Sequence, residues 1–379
     1  MRGEGRTNLR YTQSNRPGCR SCLVARIDFL FMSFGRFLIL IAALTPAVFA
    51  QKPSFTLGWS VYVGWNPYYF MQKSGILKKW ADKYGIAIKV QRFDYAPSLD
   101  AFVAKNIDAC AMTNMEALDM PAAAGVDTSA IIVGDYSNGN DAVITRGGVA
   151  LAQIPGKQVL IVEKTVSQYL IERGLAMNGL DTKKMKYLNT SDSDIASAFL
   201  TNPGKQVVVT WKPMVSQIAK AKDVKIVFNS SQIPGEILDL LVVRTEVLKR
   251  PDGDKFAKAI TGAWYEVMSQ MTGPSADKAL TSMAEGSQDT LASYKEQLTT
   301  THMFYTPQSA VDQTTAGDLK KTMDLVRKFC FSHGLLGEKT ASADDVAIQF
   351  PDASVLGKAD RVRLRFNATY MQMAAQGKL

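Results

Sequence analysis

The sequence lacks the motifs of the common enzyme classes. It contains no G-x-S-x-G nucleophile elbow, no P-loop, no H-E-x-x-H zinc motif and no G-x-G-x-x-G turn. Its two histidines, His302 and His333, lie far along the chain from the segments identified below as ligand-facing. We therefore predict that the protein is not an enzyme and that it has no catalytic residue, no cofactor and no metal. Acid–base chemistry through Glu116 or Asp135 is the alternative.

Cysteine is scarce, with four residues in 379. Cys19 and Cys22 form a C-x-x-C pair that has no strand–helix–strand context, so we assign it no redox role. Cys110 and Cys330 remain. The sequence leaves two interpretations open for them, a disulfide formed in an oxidising compartment or two separate buried thiols.

A strong charge of one sign is confined to the start of the chain. The formal net charge is +9, but seven of the basic residues and two of the acidic ones fall within residues 1–50, so the remainder carries +4. A nearly balanced charge gives no electrostatic footprint for a polyanion. We therefore expect no nucleic-acid partner.

Long apolar runs are missing as well, and the short one near the N-terminus is typical of an export signal. A basic stretch precedes the apolar run 37–44, which is followed by small residues at Val48 and Ala50. The run is too short to span a bilayer comfortably, although a membrane anchor is the alternative. We interpret residues 1–50 as an extension and signal peptide with the true start at Met32, and we expect a periplasmic monomer.

Strand-like and helix-like segments alternate from residue 54 to about residue 245, with one helix predicted over 67–84. The pattern restarts near residue 156 and becomes mainly helical after residue 245. Such alternation indicates crossover helices on parallel sheets. We therefore predict an α/β fold of two lobes with two parallel-dominated sheets, joined by a two-strand hinge and followed by a helical C-terminal tail.

The lobes can be given boundaries. Lobe one is predicted to comprise residues 51–143 and 244–379, and lobe two residues 146–240, with crossings near 141–147 and 240–244. A ligand is expected between the lobes, because ligands of open α/β sheets bind outside the carboxyl ends of the strands.

Short polar and aromatic residues follow the predicted strands at this edge. The candidate ligand-binding residues are Trp59, Tyr62, Trp65, Asn114, Glu116, Asp135, Ser137, Asn138, Asp141, Ser167, Tyr169, Thr190, Asp192 and Trp211. Several have a structural alternative: Trp59 as a core residue, Glu116 as an acid at a helix start, Asp141 as a hinge residue, and Ser167 and Asp192 as helix caps.

The same segments resemble a known family. They are Gly58 to Pro67, Thr113-Asn114-Met115, Gly134 to Asp141, Thr190-Ser191-Asp192 and Thr210-Trp211-Lys212-Pro213. Over about residues 54–250 the chain resembles the solute-binding proteins of nitrate/sulfonate/taurine-type ABC importers, and within that group the branch encoded beside urea carboxylase-type enzymes.

That resemblance implies a type II periplasmic-binding-protein fold that closes on its ligand. It implies an ABC permease and ATPase in the inner membrane as partners, and a nitrogen-rich solute such as urea or guanidinium. Glu116 stands where that branch has Asp, and Gln168 where it has His. Both positions lie in ligand-facing motifs, which leaves room for a different ligand.

The charges of the candidate segments bear on the ligand independently. Acids outnumber bases, since Glu116, Asp135, Asp141 and Asp192 face few basic residues. An anion receptor needs an Arg fork or free helix N-termini, whereas a planar cation or amide needs carboxylates and an aromatic wall. The balance favours the second. Alternatives are a sulfonate, nitrate or pyrimidine ligand in the same fold, a periplasmic sensor domain, or an enzyme of the thiamine-pyrimidine or menaquinone type.

Overall fold

The computed structural model describes residues 51–379. The predictions for the export signal, Met32, Cys19 and Cys22 therefore lie outside the described residues. Within the described part, no helix combines the length and the apolar character that crossing a membrane requires.

The described residues alternate between strands and helices along most of their length. The strands are β1 (Ser54–Trp59), β2 (Ala87–Arg92), β3 (Ala109–Thr113), β4 (Thr128–Ser137), β5 (Ala142–Arg146), β6 (Gln158–Ile161), β7 (Lys186–Asn189), β8 (Val207–Thr210), β9 (Val224–Asn229), β10 (Leu238–Arg244), β11 (Thr301–Met303), β12 (Ala347–Gln349), β13 (Val355–Leu356) and β14 (Val362–Phe366). The helices are α1 (Asn66–Lys73), α2 (Ile76–Lys83), α3 (Tyr95–Val103), α4 (Val166–Met177), α5 (Ile195–Thr201), α6 (Met214–Ile218), α7 (Thr245–Leu248), α8 (Gly253–Thr272), α9 (Ala276–Gly286), α10 (Leu291–Leu298), α11 (Pro307–Thr315), α12 (Gly317–Ser332) and α13 (Thr369–Ala375).

The strands form two sheets. The first has the order β13-β12-β14-β4-β10-β3-β1-β2, with β11 also pairing with β4, and the second has the order β7-β6-β8-β5-β9. Strands β3 and β10 of the first sheet are buried along their whole length, which explains their nearly continuous apolar sequence. The predicted α/β fold of two lobes is confirmed.

Both sheets are mixed rather than dominated by parallel pairs. β1 runs parallel to β2 and β3, but β10 is antiparallel to both β3 and β4. In the second sheet β6 runs parallel to β7 and β8, whereas β5 is antiparallel to β8 and β9. β5 and β10 depart from the prediction because each is entered directly from the other sheet and not through a crossover helix on its own sheet.

The chain crosses between the sheets at residues 138–141 and 230–237, not near 141–147 and 240–244. β5 already belongs to the second sheet, and β10 is a central strand of the first. Hydrogen bonds tie the two crossings together. The hydroxyl oxygens of Ser137 and Ser230 lie 2.7 Å apart, and the Gly139 N–H donates to Ser230 Oγ at 2.7 Å.

The predicted helical tail is also interrupted by strands. β11 pairs antiparallel with the end of β4, and β14 pairs parallel with its beginning. These strands are only three and five residues long and stand between helices. β11 is too short to show a period of two. β14 does alternate, as Val-Arg-Leu-Arg-Phe, so the sequence carried a signal for this strand that the prediction of a helical tail missed.

Local signals set several helix boundaries. The helix predicted over 67–84 is broken into α1 and α2 by Gly75, whose φ of +82° is left-handed and therefore incompatible with a continuous helix. At the start of α10 the hydroxyl of Thr290 accepts the Ser293 N–H, and Thr306 accepts that of Ser309 in α11. These are ordinary N-caps, which satisfy amides that the helix itself leaves unpaired.

The two cysteines of the described part are buried and free. The Cys110 thiol lies 3.5 Å from the hydroxyl of Ser98, and burial raises the pKa of Cys110 to about 12. A thiol in such a site is unreactive at neutral pH. Of the two interpretations left open by the sequence, the structure has the separate buried thiols.

Helix α12 of the C-terminal region contacts the second lobe through an ion pair. His333 follows α12, and its Nε2 lies 2.6 Å from a carboxylate oxygen of Glu172 in α4. The hydrogen bond that His333 donates to Glu172 raises the pKa of His333 above its ordinary value, and burial opposes that effect. His333 is 27% exposed, so solvent weakens the pair.

We expect His333→Ala to lower the melting temperature by about 1–3 °C at pH 6 and by less at pH 9. The folded pKa of His333 is raised, so the pair stabilises the fold fully below the unfolded pKa of about 6.5 and loses this effect as pH rises through the folded value. Differential scanning calorimetry of the two proteins at both pH values measures it. An effect of the same size at pH 6 and pH 9 would assign His333 a packing role only.

Candidate functional site

A small cavity lies between the two sheets at the carboxyl ends of several strands. Its volume is about 20 Å³, slightly more than the roughly 10–15 Å³ that one water molecule requires. The residues that line it are Tyr62, Trp65, Tyr95, Thr113, Asp141, Val166, Trp211, Ile237 and Asp239. They come from both lobes, so the structure represents a closed form, with free space at this position for about one water molecule.

Local structure explains how these side chains converge. The chain turns between β1 and α1, which brings Tyr62 and Trp65 to the end of the first strand. Tyr95 opens α3 directly after β2, Val166 opens α4 after β6, and Trp211 follows β8. Because each strand ends at the same edge of its sheet, residues far apart in sequence meet at this edge.

Aromatic rings form one wall of the cavity. The ring centroid of Trp65 lies 5.2 Å from that of Tyr62 and 5.3 Å from that of Tyr95. Trp211 of the second lobe meets Tyr95 edge-on at 5.6 Å, and its Nε1 donates to the Val61 carbonyl at 3.4 Å. Ring faces of this kind attract cations and stack on planar groups.

Carboxyl groups lie beside these rings. Asp135 on β4 and Asp239 on β10 face each other directly across the antiparallel strands. The Tyr62 hydroxyl donates to Asp135 Oδ1 at 3.3 Å, and Ser137 Oγ donates to Asp141 Oδ2 at 2.5 Å. Oδ2 of Asp135 and Oδ2 of Asp239 are buried and accept no hydrogen bond from an N–H or hydroxyl group. The two carboxyl groups are within hydrogen-bonding reach of each other, so a proton can be shared between them.

No cation of the described residues balances these acids. The ion pairs of residues 51–379 do not include Asp135, Asp141 or Asp239. All three side chains are 3% exposed or less. A buried, unpaired charge is costly, so the cluster either holds protons or awaits a positive partner.

Burial shifts the acids toward the protonated form. It raises the pKa of Asp135 to about 7 and that of Asp141 to about 7. Burial and then the charge of Asp135 raise the pKa of Asp239 well above its ordinary value. Two facing carboxyls in such a place share the first proton between them. A cation entering the cavity would favour the charged forms and release that proton.

Hydrogen bonds and one glycine position this cluster. Asn140 Nδ2 donates to the Tyr62 hydroxyl at 3.2 Å, which leaves that hydroxyl directed at Asp135. A methyl group at Gly64 would overlap Oδ2 of Asp135 and lie 2.8 Å from a ring carbon of Tyr62. Only glycine at this position leaves room for both side chains.

Five of the predicted site residues lie in or directly behind the cavity. The residues that line it are Tyr62, Trp65, Asp141 and Trp211. Asp135 lies behind the lining, where it contacts Tyr62 and pairs with Asp239. Asp141 also accepts from Ser137, so it lies both at the cavity and in the crossing.

Four predicted site residues have other roles. Trp59 packs against Tyr69 with ring centroids 6.2 Å apart, and the Thr190 hydroxyl donates to the Leu188 carbonyl at 3.1 Å. Asn114 joins two strand ends, since its side chain donates to the Glu236 carbonyl at 3.0 Å and accepts the Leu238 N–H at 3.0 Å. Tyr169 donates to a carboxylate oxygen of Glu236. None of the four lines the cavity.

The remaining predicted residues lie between these groups. Ser137 and Asn138 belong to the first crossing, where the Asn138 N–H donates to the Thr300 carbonyl at 3.0 Å. Ser167 follows Val166 in α4, and its buried hydroxyl has no partner. Glu116 and Asp192 make contacts between the lobes that are described below.

The sequence analysis missed five lining residues, namely Tyr95, Thr113, Val166, Ile237 and Asp239. A signal existed for two of them. Asp239 is an acid inside the apolar run Leu238–Arg244, and a charge in such a strand calls for a reason. Tyr95 follows the carboxyl end of the second strand, which is the same kind of position as those of Trp65 and Trp211.

Metal ligation has no support in the geometry. Across residues 51–379, His, Cys, Asp and Glu side chains do not form any group of three placed to hold a metal ion.

The two mixed sheets, the two crossings and the enclosed cleft define the α/β two-lobe fold of periplasmic binding proteins. Solved structures share it. The alkanesulfonate-binding protein of Xanthomonas axonopodis pv. citri superposes with a TM-score of 0.63 at 14% identity, over 76% of this chain and 96% of that one. The periplasmic aliphatic sulphonate binding protein of Escherichia coli gives a TM-score of 0.58 at 15% identity, over 76% and 96%.

The periplasmic nitrate-binding protein of Synechocystis PCC 6803 gives a TM-score of 0.54 at 11% identity, over 86% of this chain and 99% of that one. Identities this low establish a common fold and leave the ligand to be argued from the site. No protein-family model matches the chain, and no curated protein sequence is significantly similar to it.

We expect Gly64→Ala to lower the free energy of unfolding by about 1–3 kcal/mol, because the added methyl group displaces Asp135 or Tyr62. Urea unfolding followed by tryptophan fluorescence measures this. Gly317→Ala is the matched control, since a methyl group there meets no atom within 4 Å and the backbone is not left-handed. Equal stability of the two variants would show that the loop around Gly64 relaxes freely.

Proposed function

We propose that the chain is an extracytoplasmic solute-binding protein of an ABC importer, and that its ligand is a small planar cation, guanidinium or a close analogue. The observation that carries the proposal is the buried pair Asp135 and Asp239. Each has an oxygen that accepts from no N–H or hydroxyl group of the described residues, and no cation of the described residues balances the pair. A ligand with positive charge and several N–H donors supplies what both carboxylates lack.

The aromatic wall supports the same ligand. Trp65, Tyr95 and Trp211 line the cavity together with Asp141 and Asp239. A planar delocalised cation stacks on such rings and donates hydrogen bonds at its edge, as an Arg side chain does. Urea has a similar shape but no charge, so it leaves the carboxylates unbalanced and is expected to bind more weakly.

In the proposed mechanism the solute enters an open cleft and closure follows. Tyr62, Trp65 and Asp239 belong to the first lobe, whereas Trp211 and Val166 belong to the second. A ligand that contacts both groups stabilises the closed form over the open one. The closed protein would then dock on the permease of the importer in the inner membrane, after export through the N-terminal signal.

An anionic ligand is the second candidate, because the structural neighbours named above bind sulfonates and nitrate according to their descriptions. The cavity argues against it. An anion would face Asp141 and Asp239 without an Arg or Lys among the lining residues. Like charges in a desolvated site repel strongly, which costs affinity.

A thermal-shift screen of residues 51–379 tests the proposal. The protein is unfolded and refolded to remove carried-over solute and then mixed with guanidinium below denaturing concentrations, urea, nitrate or taurine. A ligand at 100 times its dissociation constant stabilises by about 2.7 kcal/mol. We expect a shift with guanidinium and a smaller one with urea. A shift with nitrate or taurine alone would assign the site to anions.

Asp239→Asn should weaken guanidinium binding at least 30-fold in isothermal titration, because it removes one charge from a buried ion pair at almost constant volume. The matched control is Asp318→Asn on α12, whose side chain is 85% exposed. That variant should bind as the unchanged protein does. Equal affinity of both variants would move the ligand away from the carboxylate pair.

Acid should weaken the binding. The pKa values of Asp135 and Asp141 are raised to about 7, so below pH 7 a cation competes with protons. The affinity should fall by up to tenfold per pH unit for each proton released, between about pH 7 and pH 5. Titrations in buffers of different ionisation enthalpy would also show proton release on binding. Affinity that is constant over this range would indicate that the acids are charged before the ligand arrives.

A further inference from the structure

Two helices begin at the cleft, and in each the N–H of the first residue donates a hydrogen bond to a carboxylate of the opposite lobe. Glu116 follows β3 of the first sheet, and its Oε1 accepts the N–H of Val166, the first residue of α4, at 2.9 Å. Asp192 follows β7 of the second sheet, and both of its oxygens lie 3.3 Å from the N–H of Tyr95, the first residue of α3.

The arrangement is reciprocal. The first lobe provides the acid for a helix of the second, and the second lobe provides the acid for a helix of the first. Val166 and Tyr95 both line the cavity, so the two contacts lie beside the ligand position. The Glu116 side chain is fully buried and also accepts a hydrogen bond from the Thr113 hydroxyl.

The start of α4 has no amide left for a solute. Val166 donates to Glu116, Ser167 donates to Thr165 Oγ1 at 3.3 Å, and Gln168 donates to the Thr165 carbonyl at 2.9 Å. In many proteins, anions bind at a helix start, where free N–H groups and the positive end of the helix dipole attract them. Here the chain itself fills that position.

We propose that Glu116 and Asp192 form an inter-lobe latch with two effects, stabilising the closed form and excluding anionic solutes from the cleft. The proposal rests on the function proposed above for the choice of ligand. Each contact exists only when the lobes are together, so each contributes to closure. Each also places a carboxyl group where an anion would otherwise find a helix N-terminus.

The two acids thus differ from Asp135 and Asp239 in what they do. The Asp135–Asp239 pair has unpartnered oxygens and attracts the ligand. Glu116 accepts from the Val166 amide and the Thr113 hydroxyl, and Asp192 accepts from the Tyr95 amide, so both act on closure and selectivity. The first pair is expected to determine what binds, and the second which competing solutes do not.

The experiment compares Glu116→Ala, Glu116→Gln and Asp192→Ala with the unchanged protein, using guanidinium and nitrate as probes in isothermal titration. Asp194→Ala is the matched control, because Asp194 lies two residues from Asp192, is exposed and bonds only to Ser191 nearby. A second readout is the distance between spin labels on the two lobes, measured without ligand.

We expect Glu116→Ala to weaken guanidinium binding about 10- to 100-fold, the usual effect of losing a hydrogen bond to a carboxylate, and to gain measurable nitrate binding. Glu116→Gln retains an acceptor oxygen for the Val166 N–H, so its loss should be smaller and nitrate should stay excluded. Asp192→Ala should open the lobes in the ligand-free protein, and Asp194→Ala should change neither readout.

The latch would be overturned if Glu116→Ala and Asp192→Ala both kept guanidinium affinity and lobe distance and gained no nitrate binding. The two proposals fail separately. If the unchanged protein binds no guanidinium, the proposed function fails. The latch is then still tested by whether the variants bind nitrate and whether their lobes lie further apart. If Glu116→Ala does not fold, the half-buried Asp192 decides it alone.

Discussion

The structure of the site depends on two carboxyl groups held side by side where water does not reach. Asp135 and Asp239 stand opposite each other because β4 and β10 are antiparallel neighbours in the first sheet. The backbone pairing that builds the lobe therefore also fixes the distance between the acids. Two neighbouring residues accommodate that pair. The Tyr62 hydroxyl donates to Asp135, and any side chain larger than that of Gly64 would overlap Asp135.

This constraint links closure to the charge of the solute. In an open cleft, water hydrates the acids, whereas closure removes that water and leaves their oxygens without partners. Closing on an empty cleft therefore requires proton uptake, and closing on a cation does not. The inter-lobe contacts of Glu116 and Asp192 add to closure in either case, so the solute has to supply only part of the free energy.

The sequence allowed the fold class to be predicted because alternation of strands and helices is a local property. Trp65, Asp141 and Trp211, which the sequence predicts as ligand-binding residues, line the cavity because each follows a strand at the edge where ligands bind. Asp239 was missed because its partner on β4 becomes visible only when the strand order is known. Trp59 packs in the core, the alternative that the sequence left open for it, because β1 is buried on both faces near its end, where alternation no longer separates core from cleft.

An alkanesulfonate-binding protein and a nitrate-binding protein share this fold, yet acids are among the residues that line the cleft described here. The fold decides where a ligand lies, since it places strand ends and helix starts at one edge between two lobes. The sign of the ligand depends on what occupies those helix starts. When they are free, their amides attract an anion. When a side chain such as Glu116 fills one of them, the same edge loses its attraction for anions, and buried acids nearby can then select for positive charge.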